Sequence, residues 1–302
     1  MNGTISRRSW LLGSLAATFA GAGPRAGNAR LDAIKAKGRQ AGMEGFDESE
    51  SPHYLAVGDA PRKFREEALA VCEGVAADYF KSFADKKFDL GWPDEKLILV
   101  TLMGPKSYAK FEGGFLDEAI GGHYDLDANR LVMFDFRGPG ANPKAAIAEQ
   151  DNTLVLVHEA THQLTYNTGL LNPKADVPLC ISEGLATYGE TWSPRHHSGF
   201  GAVNLRRRKG LEQGRQQGIA WIPLATLLAD DKPFNDAKTQ QVAYAESWLL
   251  ITKLLKDPAR LPGFRDYLQA MKTSQEPARR LELAQAHLGD LGQLDKVVRS
   301  GR

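Results

Sequence analysis

The 302-residue chain is 42% hydrophobic and 25% charged with a formal net charge of +1, the make-up of an ordinary globular protein with room for one large domain or two lobes around a cleft. So even a balance projects no strong field, which leaves nothing to point to a nucleic acid or a membrane surface as partner. Neither an internal repeat nor a low-complexity tract interrupts it.

Residues 1–29 resemble a twin-arginine export signal. Ser6-Arg7-Arg8-Ser9-Trp10-Leu11-Leu12 puts paired arginines ahead of a modestly apolar stretch that runs to Ala20, and small residues close the segment near Ala29. A membrane span takes about 20 apolar residues, so cleavage is expected rather than anchorage, with the mature chain periplasmic or extracellular and without a stable membrane span. An amphipathic N-terminal helix is the plain alternative. Residues 30–50 carry Gly38, Gly42, Gly45 and the acidic Asp47, Glu48 and Glu50, and read as a weakly ordered lead-in. The domain proper is expected over 51–300, divided into a lobe with a sheet (51–168) and a helical lobe (169–300).

Residues 53–57 read as a first strand, and Pro61 opens a helix to 86. Phe64, Ala68, Val71, Val75, Tyr79 and Phe83 recur along that helix at helical intervals, a face suited to backing a sheet. Leu97-Ile98-Leu99-Val100-Thr101-Leu102-Met103 is a continuous apolar run and predicts a strand buried on both faces. A short helix at 107–111 precedes a hairpin with arms 123–126 and 130–136, turning at Asp127-Ala128-Asn129. Beyond 183 the pattern is helical: 204–217, 223–229, 239–256, 260–271, 277–288 and 291–300. The basic run Arg206-Arg207-Arg208-Lys209 reads as a solvated helix face, or else as an attractor of acidic substrate or envelope polymer.

The organising stretch is Asp151 to Asn167, which places His158, Glu159 and His162 in the order His-Glu-x-x-His. Asp151 or Asn152 suits an N-cap, Leu154, Val157, Thr161 and Leu164 form a buried stripe, and Gly169 stands where a helix should stop. Residues four apart on a helix lie about 40° from one another around the axis, so both imidazoles leave one face and can share one ion. Glu159, beside the first histidine, can reach a water there without itself ligating. A third donor is Glu183, 21 residues after His162, on a second helix opened by Pro178. Gly184 and Ala186 would let that helix approach the first one closely. Two histidines and one glutamate, with a fourth position left for water, suit a catalytic Zn²⁺.

His158-Glu159-Ala160-Thr161-His162 followed by Ser182-Glu183-Gly184-Leu185-Ala186-Thr187-Tyr188 resembles the gluzincin metallopeptidases and, further, the bacterial peptidase-MA-like domains of that clan. Weaker echoes are Ser51-Pro52-His53-Tyr54, Gly122-His123-Tyr124-Asp125 with Asn129-Arg130, and Tyr244-Ala245-Glu246-Ser247-Trp248. The resemblance implies an α+β, zincin-like fold, one zinc ion on His158, His162 and Glu183, and Glu159 as the general base. It implies a peptide or protein substrate held along the edge of the hairpin, although His123 there reads rather as an ordinary sheet-surface residue. Tyr244 is the implied stabiliser of the oxyanion, with His196 and His197 as alternatives. An acidic residue that orients a ligand histidine is expected one turn after Glu183, where this chain has Thr187.

The function expected is therefore an exported zinc metallopeptidase. The alternative is a catalytically weak relative that binds peptide or glycan in the cell envelope. A di-iron oxidoreductase would need a second Glu-x-x-His on a helix, and the only other copy, Glu50-Ser51-Pro52-His53, contains a proline hostile to a helix interior. Cys72 and Cys180, the only cysteines, are expected as reduced thiols.

Overall fold

A computed structural model describes residues 26–114, 121–140, 145–194 and 198–300, and the twin-arginine segment falls almost wholly outside them. The described residues form an α+β fold of five strands and twelve α-helices. They divide into two compact units, one over Pro24–Pro173 with Gly189–Ala202 and one over Lys174–Tyr188 with Val203–Arg302. The boundary thus falls later than the 168/169 expected, and residues 189–202 return to the first unit. Among the described residues no helix is long and apolar enough to cross a membrane.

The first unit is built on a mixed sheet in the order β1 (Asp47–Glu50), β2 (Tyr54–Gly58), β3 (Leu97–Leu102), β5 (Arg130–Phe134), β4 (Gly122–Asp125). β2 runs parallel to β3 and β3 parallel to β5, while β1 and β4 are antiparallel edges. The central β3 is buried at all six positions, as its uninterrupted apolar run requires. Helix α2 (Arg62–Ala84) backs the sheet through Phe64, Ala68, Val75, Tyr79 and Phe83. Its start after Pro61 exploits the ring's fixed φ and missing donor. The short α3 (Pro105–Glu112) and the β4–β5 hairpin lie where their sequence signals put them.

Residues 30–50 are not a loose lead-in. They carry most of helix α1 (Ala26–Gln40) and all of β1. Ile34 and Met43 join a core cluster with Val57, Ile98, Val100, Val132 and Phe134. Lys37 reaches Glu112 at 3.0 Å and Lys35 pairs with Glu48, so the charges that made the segment look solvated tie it down instead.

Helix α4 (Ala145–Asn167) starts six residues before the N-cap expected at 151. The run Ala145-Ala146-Ile147-Ala148-Glu149-Gln150 is rich in strong helix formers and extends the helix backwards. Asn152 works elsewhere: its side-chain oxygen accepts from Phe136 N–H at 2.9 Å and its amide donates to Asp135 at 2.8 Å. Val157, Thr161 and Leu164 are fully buried, Leu154 only partly, and residues 156–165 are buried all round. Gly169, at φ 85°, follows the end of the helix in the left-handed conformation that glycine adopts without strain.

The second unit holds α5 (Leu179–Gly189) with α6 (Leu205–Gln216), α7 (Leu224–Ala229), α8 (Lys232–Asn235) and α9 (Gln240–Lys256), then α10 (Leu261–Met271), α11 (Arg280–Leu288) and α12 (Leu291–Arg299). Buried from Val242 to Ile251 without a break, α9 is its core helix. The four-residue α8 carries no signal strong enough to predict it.

Candidate metal centre

Four ties fix α4 against the sheet and so set where its polar side chains stand. Asn152 anchors the stretch after β5, and Gln163 donates to the Ile98 carbonyl of β3 at 3.0 Å. At the far end Asn167 and Asn129 exchange side-chain hydrogen bonds of 2.7 and 2.8 Å. Tyr124 adds its hydroxyl to the same group, donating to Asn129 at 2.8 Å, and burial pushes that phenol well above its ordinary range. Asn129 sits at φ 47°, a conformation that asparagine tolerates better than most residues. The fourth tie comes from β4: the Tyr124 N–H donates to Glu159 Oε2 at 2.8 Å.

His158 is oriented in turn. His158 Nδ1 lies 2.8 Å from Glu190 Oε1, and the Glu190 side chain is only 2% exposed. The bond uses Nδ1, so Nε2 is the atom His158 can offer an ion. His162 stands one turn on, its ring centroid 4.9 Å from that of His158 and the planes at 76°. Gly189 makes room for this arrangement, because a Cβ there would meet Thr161 Oγ1 of α4 at 2.4 Å.

Glu183 is placed by the start of α5. The Leu179 N–H is accepted by Asp231 at 2.9 Å, and Asp231 is held by the buried Arg280, which also binds Asp176 through two bonds of 2.6 Å. Buried charges persist when paired in this way. Gly184 permits a close approach to α9: its absent Cβ would lie 2.8 Å from the Ser247 carbonyl and 2.5 Å from Ile251.

His158, His162 and Glu183 each offer a ligand atom within 4.8 Å of the other two, and all three residues are buried, at 7%, 6% and 4% exposure. Three polar groups removed from water and gathered to this degree are compatible with a metal site. Glu159, 3% exposed, follows the first of them in the chain.

Over residues 152–277 the chain is similar to a family described as a protein of unknown function, DUF1570. That span contains His158, Glu159, His162, Glu183 and Glu190. No curated protein matches the chain.

Other residues singled out in the sequence have different surroundings. Tyr244 is 8% exposed on α9, its ring edge-on to Phe234 at 5.5 Å and beneath the Arg207 guanidinium at 5.1 Å. It precedes Ser247 by one turn on the helix that meets Gly184. His196 and His197 lie outside the described residues. His123 Nδ1 is 2.6 Å from the Tyr108 hydroxyl, as befits a sheet residue with a local partner. Cys72 and Cys180 are free and fully buried, and burial raises both thiols far above their usual range, so neither is disposed to act as a thiolate. Glu50 ends β1 and His53 precedes β2, which removes the second helical Glu-x-x-His that a di-iron site requires.

The residue missed in the sequence is Glu190. An orienting acid was sought one turn after Glu183, but the Thr187 hydroxyl donates back to the Glu183 and Gly184 carbonyls at 2.8 and 2.9 Å. Glu190 follows α5 directly, and its acidic side chain after an otherwise apolar helix was the available signal. The Tyr124 amide that holds Glu159 is a backbone group and leaves no trace in residue type.

Proposed function

We propose that the chain is an exported, zinc-dependent metallopeptidase of the gluzincin kind. The observation that carries this reading is the gathering of three buried donors, two imidazoles and a carboxylate, within 4.8 Å of one another. The donor set fits zinc, which is commonly held by two histidines and one glutamate in hydrolases. When bound, the ion supplies Lewis acidity toward a carbonyl oxygen and toward a water molecule at neutral pH.

The chain's own residues do the rest. Glu159 takes the proton of the attacking water and passes it to the nitrogen of the leaving amine. The Tyr124 amide donates to one oxygen of Glu159 and so helps to position its carboxylate. Glu190 holds the ring of His158 through Nδ1 and so sets the direction of Nε2. The Tyr244 hydroxyl is assigned to the developing oxyanion, where a donor strengthens as charge accumulates. The substrate is an extended peptide along β4, the edge strand of the sheet among the described residues. Export rests on the twin-arginine residues alone. The alternative, a weak relative that binds peptide or glycan, is favoured instead by stoichiometric zinc with no turnover across a broad peptide library.

The test is the metal content of the purified protein followed by cleavage of a mixed peptide library. About one zinc per chain is expected, with cleavage abolished by a chelator and restored by zinc. Glu159→Gln should keep the metal and lose about 10²- to 10⁴-fold in rate. A chain that purifies and reconstitutes without metal, or a Glu159→Gln variant with undiminished turnover, overturns the proposal.

A further inference from the structure

The cations at the start of α6, Arg206-Arg207-Arg208-Lys209, take no part in the metal centre. Arg207 turns inward, over the Tyr244 ring of α9. Arg206, Arg208 and Lys209 are exposed, and none of them forms an ion pair among the described residues, even though Glu212 stands one turn after Arg208. They do not serve the helix either. Its first turn is its positive end, where acids are favoured over cations, and α6 has no acid there. With Arg215, the twelve residues of α6 hold five cations against one acid in a chain whose formal net charge is only +1, so the overall balance conceals a strong local field.

Beside these charges stand apolar side chains. Leu205 is 72% exposed and Val203 56%, more than any other large hydrophobic among the described residues. Their backbone is firmly held: the buried Asn204 between them donates its side-chain amide to the Thr187 carbonyl and accepts the Arg207 N–H, both at 3.1 Å. The back of α6 is packed on α9, where a Cβ on Gly214 would meet Val242 at 2.4 Å. On the outer face the helical repeat puts Arg206 to one side of Leu205 and Arg208 to the other, with Lys209 one turn further along. Apolar side chains held out in water and ringed by unpaired cations offer two chemistries to a single partner.

We propose that this end of α6 is a docking surface for an anionic lipid bilayer. Leu205 and Val203 enter the boundary between headgroups and acyl chains, and Arg206, Arg208 and Lys209 lie against the lipid phosphates. An acidic polymer would match the charges but has no apolar interior to receive Leu205. The contact is peripheral and needs no membrane-crossing helix, of which the described residues contain none. It is independent of the metal centre.

The test is co-sedimentation of the full chain with vesicles of phosphatidylcholine, alone or mixed with phosphatidylglycerol at about two to one. Binding to the mixed vesicles is expected to be at least about 100-fold tighter than to the neutral ones and to be released by about 0.5 M salt. Each cation near such a surface contributes about fivefold, so Arg206→Gln with Arg208→Gln and Lys209→Gln should weaken binding about 100-fold. Val203→Ser with Leu205→Ser should weaken it about tenfold and leave its salt dependence unchanged. Any contribution from residues 1–29 is unmoved by these substitutions, which separates the two. Indifference to either set of substitutions, equal binding to neutral vesicles, or binding to poly-L-glutamate tighter than to the mixed vesicles overturns the proposal. The five positions are exposed, and the salt and lipid comparisons use the unaltered chain, so the result does not depend on a variant folding.

Discussion

Two histidines in the sheet-bearing unit have the same first partner at the same distance: His158 Nδ1 lies 2.8 Å from Glu190 and His53 Nδ1 lies 2.8 Å from Glu73. Their surroundings differ. The His158 and Glu190 side chains are 9% and 2% exposed, those of His53 and Glu73 41% and 24%. His53 stacks on Trp92 at a centroid distance of 3.8 Å, and Glu73 also accepts from Ser51 and from the His53 backbone amide. A carboxylate next to an imidazole therefore does not announce a metal centre. What sets His158 apart is burial together with a second imidazole and a second carboxylate within a few ångströms.

The comparison breaks most directly by removing the rings. His158→Ala deletes one of three donors and is expected to abolish stoichiometric zinc binding, read by metal analysis after dialysis, whereas His53→Ala should leave it unchanged. Equal metal content in the two variants would erase the distinction. The next effect is on the partner acids. Glu190→Gln keeps the shape but removes the charge that orients His158, and should weaken zinc affinity about 10- to 100-fold in competition with a chelator, while Glu73→Gln should not move it.

A smaller effect concerns the acidity of the exposed pair. Burial pushes the Glu73 carboxyl up, but bonds from Ser51 and His53 outweigh it and hold its pKa below the ordinary value. A depressed carboxyl stabilises the fold above its unfolded pKa, and this contribution is lost as pH falls from there through the lower, folded value. Thermal melts of the wild type and Glu73→Gln should differ at neutral pH and converge at the acidic end. The gap at neutral pH should be no more than about 1 kcal/mol, since the histidine side is open to solvent. Smallest of all, Trp92→Ala should cost about 1 kcal/mol of stability from the lost stack and leave zinc affinity unaltered.

Much of this was legible in the chain because the relevant signals were local. The buried run 97–102, the turn at Asp127-Ala128-Asn129 and the four-residue spacing of His158 and His162 each specify an element without help from elsewhere. Helix α1 was illegible because its docking falls to a few scattered apolar residues, the buried Ile34 and, just beyond the helix, Met43, with the partly buried Leu31, Ala41 and Phe46, set among glycines and charges. The start of α4 was misjudged for the opposite reason: Asn152 has the side chain of a cap, but its partners are Phe136 and Asp135, remote in sequence. Glu190 belongs to the same class of error. A helix repeats every 3.6 residues, so an acid two turns from Glu183 returns to nearly the same side of α5 as one a single turn away, and only the path of the chain after Gly189 selects it.

The reciprocal pairing of Asn129 with Asn167 acts as a latch on the hairpin tip. Each carboxamide is donor and acceptor to the other, so the tip cannot peel away by losing one bond at a time. Opening at that end has to be concerted, and the Tyr124 amide inherits its protection from it. Solvent deuterium should therefore reach that single amide slowly and lead to its early exchange once Asn129 is replaced by alanine, long before the rest of β4 frays.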